Sequence, residues 1–200
     1  MNIIKTIGVA AATLYCSIAL AEPADAVNQI RTSAQEVLRI LNKDNGSNSA
    51  AVRAEAEKYA EPHFDFRRMT KHAIGQPWKQ ATPEQQKALT EAFKNKLIRI
   101  YSGNMLQYKT AKVTVNNTPV VSGSKSQIVT VKTEVLPNAN ASKKDLVQID
   151  YTTYGTNNTY RIYDVVVNGQ SLVTIYRNQY KETIQQKGID GLIQELKQGK

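Results

Sequence analysis

The chain from position 147 to position 167 reads VQIDYTTYGTNNTYRIYDVVV. Its first part alternates apolar and polar side chains: Val147, Ile149 and Tyr151 are separated by Gln148 and Asp150. An alternation of period two is typical of a β-strand with one buried face. Its last part, residues 162–167, is apolar on both faces except for Asp164, which predicts a central strand.

Two earlier runs show the same alternation. Val113 and Val115 alternate with Lys112 and Thr114, and Val129, Val131 and Val135 alternate with Thr130, Lys132 and Glu134. Short polar loops separate the four runs, and such loops favour antiparallel pairing. The sequence therefore predicts a small antiparallel sheet of about four strands within residues 110–168.

Helical spacing dominates residues 24–106, before the predicted sheet. Its clearest signal is Thr82-Pro83-Glu84-Gln85, where Thr82 caps a helix, Pro83 takes the first helical position and Gln85 completes a capping box. The helix that follows carries a wide apolar stripe expected to face a core: Ala88, Leu89, Ala92, Phe93, Leu97, Ile100, Tyr101 and Met105.

Three shorter helices are predicted upstream. They cover Ala24 to Leu41, a segment capped by Ser49 that runs to Tyr59, and a segment capped by Asp65 that Gly75 ends. After the sheet, residues 171–198 form a helical tail that Gly188 interrupts and Asp190 restarts. The order of elements predicts an α+β domain whose helices cover one face of the sheet.

The first 21 residues predict a secretory signal peptide. Lys5 is their only charged residue, residues 7–20 carry no charge, and Ala19-Leu20-Ala21 forms a small-x-small cleavage pattern before Glu22. Cys16, the only cysteine, lies inside this segment. The mature chain, residues 22–200, is therefore expected to be one exported, disulfide-free domain in a bacterial periplasm.

The chain is basic, with 26 Lys and Arg against 17 Asp and Glu. Without Lys5, 25 basic residues remain against the same 17 acids, a net charge of +8. Such a charge favours anionic partners: nucleic acid, phospholipid headgroups or an acidic protein. Because the basic residues are scattered, form no known reading motif and belong to an exported chain, nucleic acid is not expected as a partner.

The common catalytic motifs are absent from the sequence, including the P-loop, G-x-S-x-G and H-E-x-x-H. The two histidines, His63 and His72, are nine positions apart and do not share a helix face. Asp65 and His72 are able to share one, but a cap residue beside a surface histidine explains both. No catalytic residue, metal site or cofactor is therefore predicted.

Three groups of residues form a pattern that extends over most of the chain. The first comprises Phe64-Asp65-Phe66-Arg67-Arg68-Met69, Ala73-Ile74-Gly75, Trp78, Ala81-Thr82-Pro83 and Gln85-Gln86. The second comprises Tyr163-Asp164-Val165, Val167-Asn168-Gly169, Ser171-Leu172 and Tyr176-Arg177-Asn178-Gln179-Tyr180. The third comprises Lys187-Gly188-Ile189-Asp190-Gly191-Leu192-Ile193 and Leu196. Together these groups resemble the MlaC family of periplasmic phospholipid-binding proteins, also called toluene-tolerance proteins, over roughly residues 25–198. The departures are mild: Ile74 stands where the family usually has Leu, and Asn168 stands where it often has Glu.

The resemblance implies an antiparallel sheet related to the NTF2-like group, wrapped by helices around an apolar pocket. The pocket would hold phospholipid acyl chains and leave the headgroup near solvent. The partners implied are phospholipid, an inner-membrane ABC transporter complex and an outer-membrane lipoprotein–porin complex. The implied function is lipid exchange between these complexes, which maintains the lipid asymmetry of the outer membrane.

The alternation and the helical stripes supply the expected pocket wall. From the sheet it comprises Val113, Val129, Val131, Val147, Ile149, Val165 and Val167, and from the helices Phe93, Leu97, Tyr101, Leu172 and Tyr176. Lys96 and Arg177 are the headgroup candidates.

Two other classes of function stay open on the sequence alone. An NTF2-like isomerase or hydrolase would place Asp150, Asp164 or His72 inside the pocket. A periplasmic adaptor that binds no lipid would have a filled core.

Overall fold

The computed structural model describes residues 22–122, 128–156 and 159–199. The predicted signal peptide, with Cys16, lies outside the described residues. The longer helices are α1 (Pro23–Leu41), α2 (Ser49–Ala60), α3 (Phe66–Ile74), α4 (Pro83–Ser102) and α5 (Leu172–Lys197). Short 3-10 turns occupy Glu61–His63, Gln76–Lys79, Met105–Tyr108 and Lys143–Asp145.

Six strands form one antiparallel sheet within the described residues. They are β1 (Lys112–Val115), β2 (Val120–Ser122), β3 (Ile128–Leu136), β4 (Val147–Thr156), β5 (Thr159–Val167) and β6 (Gln170–Ser171). The order across the sheet is β1-β3-β4-β5-β6, and β2 also pairs with β3. The α+β class and the antiparallel sheet are confirmed, and the four expected strands are joined by two very short ones, β2 and β6.

The prediction that residues 162–167 form a central strand is confirmed only in part, because β5 lies between β4 and the very short β6. β5 pairs along its length with β4, but its other edge meets only the two residues of β6 at Val166 and Val167. Phe64 forms an isolated parallel bridge with Ile162 farther along that edge. The strand is apolar on both faces because α1, α3 and α5 all pack against it, so helices supply the burial that neighbouring strands would give.

The strand register places all seven predicted sheet residues of the wall on one face. Val113 pairs with Val135, Val135 with Val147, and Thr133 with Ile149. Ile149 pairs with Val167, and Tyr151 pairs with both Val131 and Val165. Since side chains of directly paired residues project to the same side, these valines form a continuous surface, termed here the apolar face.

The helices do not all cover that face, contrary to the expectation. Helix α1 packs on it, with Ala26, Val27 and Ile30 against Val129 and Val131. Helix α3 contacts the opposite face, where the Arg68 guanidinium lies 4.0 Å from the ring centre of Tyr154 and 4.6 Å from that of Tyr163. A β-bulge between Thr152 and Thr153 changes the register of β5 here, and such bulges reorient side chains.

Buried apolar side chains form three clusters within the described residues. The helical cluster joins α3, α4 and α5 around Met69, Phe93 and Leu192. The sheet cluster joins α1 to the apolar face around Val129, Val131 and Tyr160. The third joins the end of α1 to α2 through Ile40, Leu41 and Val52. Phe64 packs against both the helical and the sheet clusters and so marks their junction.

The predicted helix starts are largely confirmed. The Thr82 hydroxyl accepts from the Gln85 backbone N–H, and the Gln85 side chain accepts from the Thr82 N–H. The Asp65 carboxylate accepts from the Arg68 N–H at 2.8 Å. Ser49 is not the cap of α2, which begins after Asn48. Its hydroxyl instead donates to Asp44.

Two expectations about helix ends need correction. The stripe of α4 does not continue to Met105, because the helix ends at Ser102, and Ile100 and Tyr101 are 42% and 47% exposed. The tail is interrupted at Gly188 as predicted: its φ of 68° and ψ of −175° break the helical geometry inside α5.

Candidate functional site

The apolar face is covered over only part of its area. Val129 and Val131 are fully buried beneath α1. Toward β1 and the Val167 end of β5, Val113, Val147, Ile149, Val165 and Val167 are each half-buried. Adjacent half-buried aliphatic side chains on one sheet face provide a continuous apolar surface, which has the composition usual in a site for a hydrophobic ligand.

Tyr151 lies among these residues on β4, between Val131 and Val165. Burial raises the pKa of its hydroxyl above the usual value, yet the side chain retains solvent-accessible area. Tyr151 was predicted to be a strand residue but not part of the wall.

The helical members of the predicted wall lie elsewhere. Phe93, Leu97 and Tyr176 belong to the helical cluster, where the rings of Phe93 and Tyr176 meet edge to face at 5.0 Å. Leu172 is half-buried at the start of α5. The structure therefore brings the sheet residues together and the helical residues together, but in separate clusters.

Tyr101 and Lys96 flank the exposed side of the helical cluster. Tyr101 is a surface residue, contrary to its expected place in an interior wall. Burial, and then the nearby Tyr101, raise the pKa of Tyr176. The Lys96 ammonium lies 5.5 Å and 5.6 Å from the ring centres of Tyr176 and Tyr180. Burial, and then the nearby Arg99, lower the pKa of Lys96. A cation over two tyrosine rings stabilises the pairing of α4 with α5.

Arg177, the second headgroup candidate, has a structural contact. Its Nε donates to the backbone carbonyl of His72 at 2.7 Å, and its side chain passes next to Gly75. A donor at this position satisfies a carbonyl in the last turn of α3. Arg177 thus joins α5 to the end of α3.

A cleft of about 570 Å³ separates α2 from α4. One stripe of α2 supplies one wall, Ile98 of α4 the other, and Phe64 and Phe66 also line it, with their rings 5.6 Å apart and stacked. The full lining is Ala54, Glu57, Lys58, Glu61, Pro62, Phe64, Phe66, Ile98 and Arg161. None of these residues was predicted to belong to the site.

One sequence pattern of the cleft, a helical spacing of residues, can be assigned to it only once the structure is known. Ala54, Glu57, Lys58 and Glu61 recur at the spacing of one helix face. That face is mostly charged, and a charged helix face normally points to solvent. Nothing in the sequence pairs it with Phe64, Ile98 and Arg161, which lie on three other segments.

The residues of the enzyme alternative do not form a catalytic arrangement. One carboxylate oxygen of Asp164 accepts from the backbone N–H groups of Val165 and Val173, and the other from the Ser171 hydroxyl at 2.6 Å. Asp65 accepts from the Tyr154 hydroxyl and from the Arg68 N–H. These contacts hold the start of α5 to β5 and the start of α3 to β4.

His72 stacks against Tyr163, with ring centres 5.3 Å apart. Burial first, and then the charge of Arg68, lower the pKa of His72. Asp150 lies on the face of the sheet opposite the apolar face, where it pairs with Lys132 and Val166. The Asp164 carboxylate is near enough to His72 to oppose the lowering of the histidine's pKa in part, but the hydrogen bonds that it accepts within the described residues come from Val165, Ser171 and Val173.

No cluster of three or more His, Cys, Asp or Glu side chains suited to a metal ion occurs within residues 22–122, 128–156 and 159–199. Among the described helices, none is long and apolar enough to cross a bilayer.

Comparison with known proteins shows the following similarities. A family model described as "MlaC protein" matches residues 31–198. The toluene tolerance protein ttg2D of Pseudomonas putida is 24% identical over 175 residues, which cover 87% of this chain and 78% of that protein. The phospholipid-binding protein of Ralstonia solanacearum, solved in complex with a phospholipid, superposes with a TM-score of 0.73 at 28% identity, over 88% of this chain and 96% of that one.

Proposed function

Because the chain belongs to the MlaC protein family, we propose that it is a phospholipid carrier that works in the periplasm. The acyl chains lie against the apolar face, and the headgroup stays near solvent. The carrier exchanges its lipid with an inner-membrane ABC transporter complex and with an outer-membrane lipoprotein–porin complex. This exchange maintains the lipid asymmetry of the outer membrane.

The observation that carries the proposal is the incompletely covered apolar face. A filled core would bury Val147, Ile149 and Val167 as fully as Val129 and Val131. Their partial exposure leaves aliphatic surface available to a hydrocarbon chain. The bound phospholipid of the R. solanacearum relative supports the same ligand class.

The energetics suit a carrier. Two acyl chains contain on the order of thirty methylenes, each worth ~0.8 kcal/mol on leaving water. Their sum, roughly 24 kcal/mol, exceeds the strongest non-covalent affinities, so water is the wrong reference state. Exchange between a bilayer and a protein pocket transfers the chains from one apolar medium to another. Such a transfer is nearly balanced, and both loading and release remain possible.

Native mass spectrometry of protein purified gently from a bacterial host, followed by solvent extraction and lipid analysis, tests the function. Co-purified phospholipid at up to stoichiometric occupancy is expected. A correctly folded protein free of lipid, which also takes none up from vesicles, contradicts the proposal and favours the adaptor alternative.

A pair of variants tests the wall. Val147→Trp adds a large ring to the apolar face and should reduce phospholipid occupancy several-fold, because the ring takes the volume of a chain. Gln148→Trp is the matched control: the neighbouring residue projects from the opposite face and is exposed. Equal occupancy in the two folded variants would show that the wall is assigned wrongly.

A further inference from the structure

We infer that the cleft between α2 and α4 is the mouth through which phospholipid enters, with Arg161 and Lys58 contacting the phosphate oxygens. The inference rests on the proposed function, which it extends by naming the point of entry and the contacting residues.

Phe64 lies where the cleft meets the sheet. Its ring lines the cleft, and the same side chain packs against both the helical and the sheet clusters. Its backbone bridges Ile162 of β5, and Ile162 belongs to the sheet cluster together with Val129 and Val131. Phe64 therefore lies between the cleft and the buried end of the apolar face.

Arg161 and Lys58 are the basic residues of the cleft lining. Arg161 is half-buried, and its guanidinium is fixed by donation to the Phe64 carbonyl at 2.7 Å. Its Nε is buried without a hydrogen-bond partner, and within the described residues Arg161 forms no salt bridge. A half-buried cation without a counter-ion is unfavourable. The oxygens of an entering phosphate supply the missing negative charge, in the geometry that a guanidinium group prefers.

The lining also carries two carboxylates, Glu57 and Glu61, and only Glu61 has a salt-bridge partner among the described residues, so Glu57 partly opposes an entering phosphate. Glu61 is neutralised by Lys94 of α4, with 3.0 Å between Oε1 and Nζ. Glu57 and Lys58 adjoin each other on α2, and neither forms a salt bridge within the described part of the chain. His63 lies close enough to Arg161 for that charge, after burial, to lower its pKa. His63 is thus expected to be neutral near pH 7 and to leave the positive charge to Arg161 and Lys58.

Five residues of the lining are apolar: Ala54, Pro62, Phe64, Phe66 and Ile98. A cleft that combines apolar side chains with the cations Lys58 and Arg161 suits a molecule with hydrocarbon chains and a phosphate. At about 570 Å³ it lies within the usual range for small-molecule sites.

The mouth is tested by blocking it. Ala54→Trp places an indole in the cleft from an exposed helix position, whereas Ala51→Trp makes the same change at an exposed position of α2 outside the lining. Solvent-extracted protein is mixed with vesicles of equal parts phosphatidylethanolamine and phosphatidylglycerol, and loading is followed by native mass spectrometry. Loading of Ala54→Trp should be slower by about tenfold or more than that of Ala51→Trp. Equal rates overturn the inference.

The phosphate contact is tested by charge reversal. Lys58→Glu should slow loading by about fivefold, whereas Lys181→Glu, an exposed residue of α5, makes the same change in net charge away from the cleft. Arg161→Lys keeps the charge but loses the planar fork and should also slow loading. Equal rates for Lys58→Glu and Lys181→Glu contradict the contact even if Arg161→Lys is unstable.

Two further readouts separate the possible outcomes. Inorganic phosphate at high concentration should slow loading of the wild type more than that of Lys58→Glu, because a free ion competes for the same cations. No effect of phosphate on either protein contradicts the phosphate contact. If the wild-type protein takes up no lipid, the proposed function itself fails. If the wild type loads and the Ala54→Trp protein loads equally well, only the mouth is wrong.

Discussion

At the scale of single residues, polar side chains connect elements rather than form a reactive site. Asp164 joins β5 to the first turn of α5 through Val173 and Ser171. A carboxylate at a helix start accepts unpaired N–H groups and interacts favourably with the helix dipole. The same residue is the natural catalytic candidate of the enzyme alternative, which makes it the most informative position to change.

Asp164→Asn should destabilise the fold by about 1–2 kcal/mol, because an amide replaces a charged acceptor of three hydrogen bonds. Urea unfolding measures this loss. Lipid occupancy of the folded variant should equal that of the wild type. Asp150→Asn, on the face opposite the apolar face, is the control and should change stability little. A stable Asp164→Asn protein that has lost a measurable turnover would favour the enzyme.

Asp44 predicts a feature of the acid dependence of stability. Hydrogen bonds from Ser49 and Lys109 lower the pKa of its carboxyl from 3.8 to about 2. A carboxyl whose pKa is lower in the folded state stabilises the fold above its unfolded pKa, and this contribution is lost as the pH falls.

Wild-type protein should therefore lose part of its stability between about pH 4 and pH 2. Asp44→Asn should lack that part of the decline, so the two urea midpoints should differ at pH 6 and converge toward pH 2. The convergence is the decisive measurement: parallel curves over the whole range would mean that Asp44 has the same pKa in both states.

At the scale of elements, α5 is two helical segments joined at Gly188. The first presents Val173, Tyr176 and Tyr180 to the helical cluster, and the second presents Leu192, Ile193 and Leu196 to the same cluster. A straight helix would not direct both segments toward one cluster. The backbone at Gly188, with φ 68° and ψ −175°, occupies a region that is open almost only to glycine.

Gly188→Ala should destabilise the fold by about 1–3 kcal/mol. The cause is backbone strain alone, because a Cβ at this position would meet no atom within 4 Å. Thermal unfolding compares it with Gln185→Ala, an exposed change in the same helix. A Gly188→Ala protein as stable as that control would show that the break between the two segments does not require glycine.

At the scale of the whole molecule, three apolar clusters surround a partly uncovered sheet face instead of forming one core. This arrangement leaves stability to be gained from a ligand that covers the remaining surface. A ligand that binds only the folded state raises the melting temperature in proportion to the logarithm of its excess over Kd.

Solvent extraction of the lipid should therefore lower the melting temperature by several degrees, and reloading from vesicles should restore it. Differential scanning calorimetry of the extracted and reloaded protein makes the comparison. The Val147→Trp protein should show a smaller difference between the two states, because its own side chain covers part of the face. Identical melting temperatures of extracted and loaded wild-type protein would contradict this picture.

Local sequence patterns determined the elements of this protein. The capping boxes, the helix-ending glycines and the alternation of valines act over a few residues, so they are readable without the fold. The shared face of the seven sheet residues also follows from the sequence, because a strand places alternate side chains on one side. These patterns are local consequences of backbone geometry.

Only the tertiary structure decided how the elements meet. The place of β5 near the sheet edge depended on helices α1, α3 and α5, which bury an apolar strand as well as neighbouring strands do. The cleft combines α2, α4, β5 and the segment around Phe64, and its charged helix face resembles any solvated one in sequence. Burial and ion pairing depend on residues distant in the chain, so no local pattern encodes them.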